Sequence, residues 1–193
     1  MKYNKNMPML LTLFSLIIGV QFGIAQEYKV ANGSSTLIVE GTSNLHDWEI
    51  KAENQSGSIS FTDADKAEID KLSFSVEAES LKSGKSGMDK NTYKALNTKK
   101  YKQIKFSLVK VKDTKTRGND EYEVNMEGDL TIAGVTKRIV LPVQMQIKAN
   151  TVKLNGSKKI KMTDYNIEPP KALFGTITTG DEVTIKIATT LTK

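Results

Sequence analysis

His46 is the one histidine of the chain. It stands beside Asp47 and two residues before Trp48, the one tryptophan. A histidine next to a carboxylate is the pair that acid–base catalysis or metal ligation would use. A metal site needs three or four clustered ligands, however, and there is no second histidine and no cysteine. A catalytic histidine also needs a nucleophile, which adjacency to Asp47 does not supply. The pair therefore reads as structural, holding the turn ahead of Trp48. Gly84-Lys85-Ser86 has the form of the end of a phosphate-binding loop, but position 79, where that motif needs glycine, is glutamate. With zero Cys there is no disulfide framework and no thiol nucleophile. No paired-carboxylate, triad or metal pattern stands out. We expect no catalytic residues, no metal and no cofactor, and hence no enzyme.

The other chemistry-bearing feature is charge. Leu81 to Lys105 carries lysines 82, 85, 90, 94, 99, 100, 102 and 105 against Asp89 alone, a local charge of +7. Such a segment is either a solvated lysine face or an electropositive rim that attracts a phosphate head group or an anionic membrane surface. On the second reading Lys99, Lys100 and Lys102 are the candidate contacts. The chain has two arginines, Arg117 and Arg138, both outside this lysine run, and lysines without arginines or stacking aromatics argue weakly for nucleic acid, which is not expected as a partner.

The elements that must position these residues are strands. From Glu121 to Ile132 every even position is apolar or small and every odd one polar. After Ala133-Gly134 the alternation resumes in the other phase, with Ile139, Leu141, Val143, Met145 and Ile147. That is a hairpin with one dry face, characteristic of an antiparallel sheet. Similar alternation marks Ser35–Gly41, Trp48–Ala52, Ala67–Ser80, Gln103–Lys112, Thr151–Thr163 and a last strand through Val183–Leu191. Between Ala52 and Gly57 the apolar phase changes by one residue, as at a β-bulge. One short helix fits Met88–Asn97, with Met88, Thr92, Tyr93 and Leu96 near one stripe. About eight strands suit a closed barrel able to hold one small ligand, with a two-sheet sandwich as the alternative. Pro142 inside a strand pattern favours a barrel with an imperfect seam.

Residues 1–25 differ in kind. Lys2 and Lys5 precede an apolar run from Met9 to Val20, and Gly23-Ile24-Ala25 offers small residues for cleavage. We expect a signal peptide over 1–25, a mature domain over 26–193, and a periplasmic or secreted protein. The 193-residue chain carries +6. Without Lys2 and Lys5 its 26 basic and 22 acidic residues leave +4.

Five ordered stretches resemble the YceI family of exported bacterial lipid-binding proteins. They are GTSNLHDW from Gly41 to Trp48, DKNTYKALNTKKYKQIKF from Asp89 to Phe106, and GDLTIAGVTKRIVLPV from Gly128 to Val143. Asp164-Tyr165-Asn166-Ile167 is similar to the family's Asp-Phe-Gly-Ile element with Asn166 in place of glycine, and Gly180-Asp181-Glu182-Val183 follows. The resemblance implies an all-β fold, an extended eight-stranded antiparallel lipocalin-like β-barrel with one short helix. It implies an isoprenoid lipid within, a polyprenyl phosphate or a quinone with an isoprenoid tail, held for storage or transport without catalysis. The expected apolar cavity residues are Trp48, Phe74, Val76, Phe106, Tyr122, Val124, Met126, Met145 and Phe174. The alternative function is a stress-related structural or interaction protein whose barrel is filled by its own side chains. Sheet-edge pairing into a homodimer is a further expectation.

Overall fold

The computed structural model describes residues 26–118 and 120–193. The expected signal peptide lies outside the described residues. Strand β1 comprises Gln26–Val30 and Thr36–Ser43, β2 comprises Trp48–Ala52 and Gln55–Asp63, and β3 comprises Glu68–Glu77 and Leu81–Lys82. Helix α1 is Ser86–Leu96. Then come β4 (Gln103–Gly118), β5 (Glu121–Ile132), β6 (Val135–Lys148), β7 (Thr151–Lys161) and β8 (Ile177–Thr192). Each strand pairs antiparallel with the next, and β8 closes on β1 through Ala188↔Thr36 and Lys29↔Thr192. The result is an eight-stranded closed antiparallel barrel in up-and-down order. Closure pairs the edges that an open sheet would expose.

β5 shows why the sequence folds this way. Its burial alternates without a break from Glu121 to Ile132, with Tyr122, Val124, Met126, Leu130 and Ile132 buried. A slip of one residue would turn all five to water, so the pattern itself fixes the register with β6, from Tyr122↔Met145 to Ile132↔Val135.

The phase change in β2 is a jog shared by three neighbouring strands, not the isolated bulge expected. β1 is interrupted by the 3₁₀ turn Asn32–Ser34, β2 at Glu53-Asn54, and β3 by the turn Ala78–Ser80. Side chains knit the three breaks together. Asn32 Nδ2 donates to the Glu53 carbonyl at 2.8 Å, and Asn32 Oδ1 accepts the Gln55 N–H at 2.9 Å. Ser80 Oγ donates to the Asn54 carbonyl at 3.2 Å. Register shifts across the jog, from Ile38↔Lys51 to Lys29↔Ser58. Three breaks at one level bend the wall, as barrel closure requires. The segment Gln26–Val30 was missed in the sequence because it is five residues long and puts only Tyr28 and Val30 on its inward face, too short an alternation to stand out.

The turns at 64–67 and 149–150 lie at one end of the barrel with Gly118 and Asp120, and a dry core plugs that end. Tyr28 and Phe61 meet edge to face at 5.9 Å between ring centroids. Tyr122 donates its hydroxyl to the Asp65 carbonyl at 2.9 Å. Val124, Met145, Ile59 and Val152 fill the space between them. At the other end β6 and β7 part company, since their pairing stops at Gly156↔Val143. Pro142, which lacks an N–H to donate, stands at that fork. The seam expected there is this split.

β4 pairs with β3 only over Gln103–Ser107, so part of its edge is open. Register shifts at Leu108/Lys110, Val111/Asp113 and Thr116/Gly118, with lysines along the strand, blunt that edge against edge-to-edge pairing.

Candidate ligand cavity

Above the packed plug the barrel interior is hollow. A cavity of about 940 Å³ runs from the level of Met126, Leu154 and Thr189 to the end formed by turn 44–47, helix α1, hairpin 133–134 and loop 162–176. That volume is at the upper end of the range of small-molecule sites, ~300–1,000 Å³. Its walls are aliphatic and aromatic. Leu37, Ile50, Val76, Phe106, Val143 and Ile185 are representative.

Two aromatic residues reach the wall because the strand opposite them carries glycine. Trp48 lies flat over Gly41, where a Cβ would collide with the indole, and its Nε1 donates to the Thr42 carbonyl at 2.9 Å. Phe106 covers Gly128 in the same way.

Helix α1 forms one lip. Asp89 accepts hydrogen bonds from the Ser83 hydroxyl at 2.6 Å and the Ser83 N–H at 2.8 Å, which hold its carboxyl below the usual carboxylate range and fix the approach to the helix. Asn97, in the left-handed conformation at φ 50°, ends it. Met88, Thr92, Ala95 and Leu96 face the cavity. Tyr93, expected on the same stripe, turns instead toward β3. Its hydroxyl accepts from Lys82 Nζ at 2.6 Å and reaches the Glu79 carbonyl at 2.8 Å.

Loop 162–176 forms the opposite lip. Asp181 takes the Thr163 hydroxyl at 2.7 Å and the Thr163 N–H at 2.9 Å, bonds that lower the pKa of its carboxyl. Asn166 sits at φ 56°, a left-handed position that asparagine tolerates better than most residues, which accounts for asparagine where the motif has glycine. The turn aims Met162, Tyr165 and Ile167 inward.

Two buried hydroxyls interrupt the hydrocarbon lining. Thr189 Oγ1 near the floor and Tyr165 Oη near the mouth have no hydrogen-bond partner among the described residues. Burial, reinforced by Asp164, pushes the Tyr165 phenol up to about 12, so it stays a neutral donor. A buried hydroxyl without a partner costs free energy until something bonds to it.

The expected site residues divide by depth. Trp48, Phe74, Val76, Phe106 and Met126 line the cavity. Tyr122, Val124 and Met145 lie below it in the packed plug, which corrects the expectation for these three. Alternation tells inside from outside but not floor from cavity. Phe174 is corrected outright, being fully exposed on loop 162–176. Lys99, Lys100 and Lys102 are exposed and stand apart from the lining, where Lys85, Lys90, Lys105, Lys158 and Lys171 occur instead. His46 is exposed at the mouth. Its turn is held by Ser43, whose hydroxyl donates to the His46 carbonyl at 2.7 Å and accepts the His46 N–H at 3.1 Å. The expected His46–Asp47 brace is thus replaced by a serine. Thr189 and Tyr165 were missed, although Thr189 is in phase with Ile185, Ile187 and Leu191 and was legible on that ground.

Among the described residues no three His, Cys, Asp or Glu side chains cluster as metal ligands, and no helix is long and apolar enough to cross a membrane. The arrangement can hold an elongated apolar molecule by burial and offer it two hydroxyls.

Comparison with known proteins gives the same outline. A YceI-like domain model matches residues 28–191. Protein YceI of Escherichia coli O157:H7 is 27% identical over 169 residues, covering 82% of this chain and 85% of its own. Among solved structures, BcnA of Burkholderia cenocepacia superposes with a TM-score of 0.66 at 21% identity, covering 83% of this chain and 98% of its own. A polyisoprenoid binding domain from Saccharophagus degradans, implicated in plant cell wall breakdown, superposes at 0.68 with 14% identity, covering 86% and 97%.

Proposed function

The chain belongs to the YceI-like domain family, and from that premise we propose that it is an exported carrier. It holds an isoprenoid lipid, a polyprenyl phosphate or an isoprenoid quinone, in the barrel and does no chemistry on it. The observation that carries this reading is the cavity itself, about 940 Å³ of apolar space open at one end above a packed floor. A related domain of this fold is described as polyisoprenoid binding, which agrees in ligand class.

Burial alone supplies enough affinity. At roughly 0.8 kcal/mol per methylene-sized group, three or four isoprene units give about 12–16 kcal/mol gross. Before the cost of association that spans the nanomolar to picomolar range. The tail therefore needs no dedicated polar contacts. The rival reading, a barrel filled by its own side chains for a structural or interaction role, would have large residues at every inward position, and the hollow upper barrel weighs against it.

The test is a titration of delipidated protein with a short-tailed isoprenoid quinone, followed by quenching of Trp48, the single tryptophan in the cavity wall. Saturable stoichiometric quenching that an excess of polyprenyl phosphate reverses supports the carrier reading. Quenching no greater than that of free tryptophan contradicts it.

A further inference from the structure

We propose that the mouth of the barrel is a docking surface for an anionic lipid bilayer, with Leu45, Leu173 and Phe174 as the part that enters the membrane. This rests on the carrier reading, because it names where a lipid cargo is collected or released.

Four large apolar residues are exposed among those described, and three of them share this rim. Leu45 and Leu173 are each 67% exposed and Phe174 fully so. The two loops that carry them are bonded to each other. Asn44 Nδ2 donates to the Thr176 carbonyl at 2.9 Å, Asn44 Oδ1 accepts the Thr178 N–H at 2.9 Å, and the Asn44 N–H donates to the Thr178 carbonyl at 3.1 Å. Leu173, Phe174 and Gly175 then run through three successive left-handed residues, at φ 47°, 54° and 90°. Two bulky apolar side chains in that conformation are unusual for a surface loop, and the result turns Phe174 away from the barrel. An apolar tip on a rigid base is suited to entering an acyl layer, whereas a core residue would have folded inward.

Charge on the same end fits one partner. The connections 44–47, 83–102, 133–134 and 162–176 hold seven lysines against four carboxylates, Asp47, Asp89, Asp164 and Glu168, a net +3. Lys85, Lys90 and Lys171 ring the opening directly, with Lys171 4.0 Å from Glu168. The connections at the plugged end hold Asp65 and Asp120 against Lys66 alone. The barrel is therefore polarised, with its basic, apolar end at the cavity opening. Basic residues flanking an apolar tip match a bilayer surface in which anionic head groups overlie hydrocarbon. Leu45 and Leu173 also line the cavity, so the apolar path from bilayer to interior is continuous.

The experiment is flotation of the full mature protein with vesicles of phosphatidylcholine containing about a third phosphatidylglycerol, beside neutral phosphatidylcholine vesicles, in low and high salt. Phe174→Asn is the principal variant, because asparagine accepts the left-handed backbone and Phe174 lies outside the cavity lining. Lys85→Gln with Lys90→Gln is the second. Expected are binding to anionic vesicles that high salt weakens, a loss of about tenfold or more in partitioning for each variant, and quinone binding in vesicle-free solution unchanged for Phe174→Asn. Equal flotation of the wild type and both variants, or no flotation at all, overturns the docking surface. Flotation without any quinone uptake leaves docking intact and defeats the carrier reading, so the two fail separately.

Discussion

Replacing Thr189 by valine should stabilise the ligand-free protein, against the usual direction for a core substitution. Thr189 is 3% exposed, sits on β8 with its side chain in the cavity wall, and its Oγ1 has no partner among the described residues. Valine has nearly the same shape, so the exchange opens no new void and forces no overlap. What it removes is an unsatisfied hydroxyl, whose desolvation costs about 1–3 kcal/mol. A gain of about 1–2 kcal/mol follows. For a domain of this size it corresponds to a rise of roughly 2–8 °C in the melting temperature at ~2–4 °C per kcal/mol. Ser35→Ala is the control of opposite sign. Its hydroxyl donates to the Ala31 carbonyl at 2.8 Å and accepts the Thr190 N–H at 3.0 Å, so its loss should cost about 1 kcal/mol. Both values come from urea unfolding of delipidated protein, with equal m-values required for the comparison. A loss of 1 kcal/mol or more for Thr189→Val would mean that the hydroxyl is partnered and that the cavity floor is not the dry surface described.

Leu154→Trp, at the cavity floor, should cost less than about 1.5 kcal/mol because the ring enters empty space, yet it should abolish isoprenoid quinone uptake measured by native mass spectrometry. Val124→Trp, in the plug below, should cost about 3 kcal/mol or more by overpacking, measured by the same unfolding assay. Asn166→Gly should be neutral in thermal unfolding, while Asn166→Ala loses about 1 kcal/mol for the left-handed backbone. Asp89 and Asp181 both titrate lower in the folded protein than their ordinary values, so the stability they contribute is complete above the ordinary carboxylate range, about pH 3.9, and is lost as pH falls through the lower folded pKa. Asp181→Asn should therefore flatten the acid limb of a stability–pH curve. An unchanged acid limb would show that Thr163 does not hold it.

How far the sequence could be read depends on what each pattern encodes. The strict alternation of β5 and β6 carried the sheet, its register and the buried face, because the period of a strand is the period of its side chains. Pro142 marked the seam for a similarly local reason. The three-strand jog was visible only as a phase change in β2, because Asn32 and Ser80, which complete it, are far away in sequence. Depth along the barrel was not legible at all. Tyr122, Val124 and Met145 carry the same inward signal as Met126, and closure alone decides which of them meet a packed floor. Phe174 misled because a large aromatic reads as core, whereas left-handed turns at Leu173 and Phe174 carry it outward. The lysine run showed that one segment is basic, but the helix and its loop determine that Lys85 and Lys90, not Lys99, Lys100 and Lys102, edge the opening.

The carrier account is tested most directly by mass spectrometry of the organic extract from the protein, purified from its native host without detergent. The account predicts one dominant isoprenoid in near-stoichiometric amount, absent from an extract of Leu154→Trp prepared in parallel. An extract with no isoprenoid, from protein that also takes up neither quinone nor polyprenyl phosphate when these are added, would contradict it.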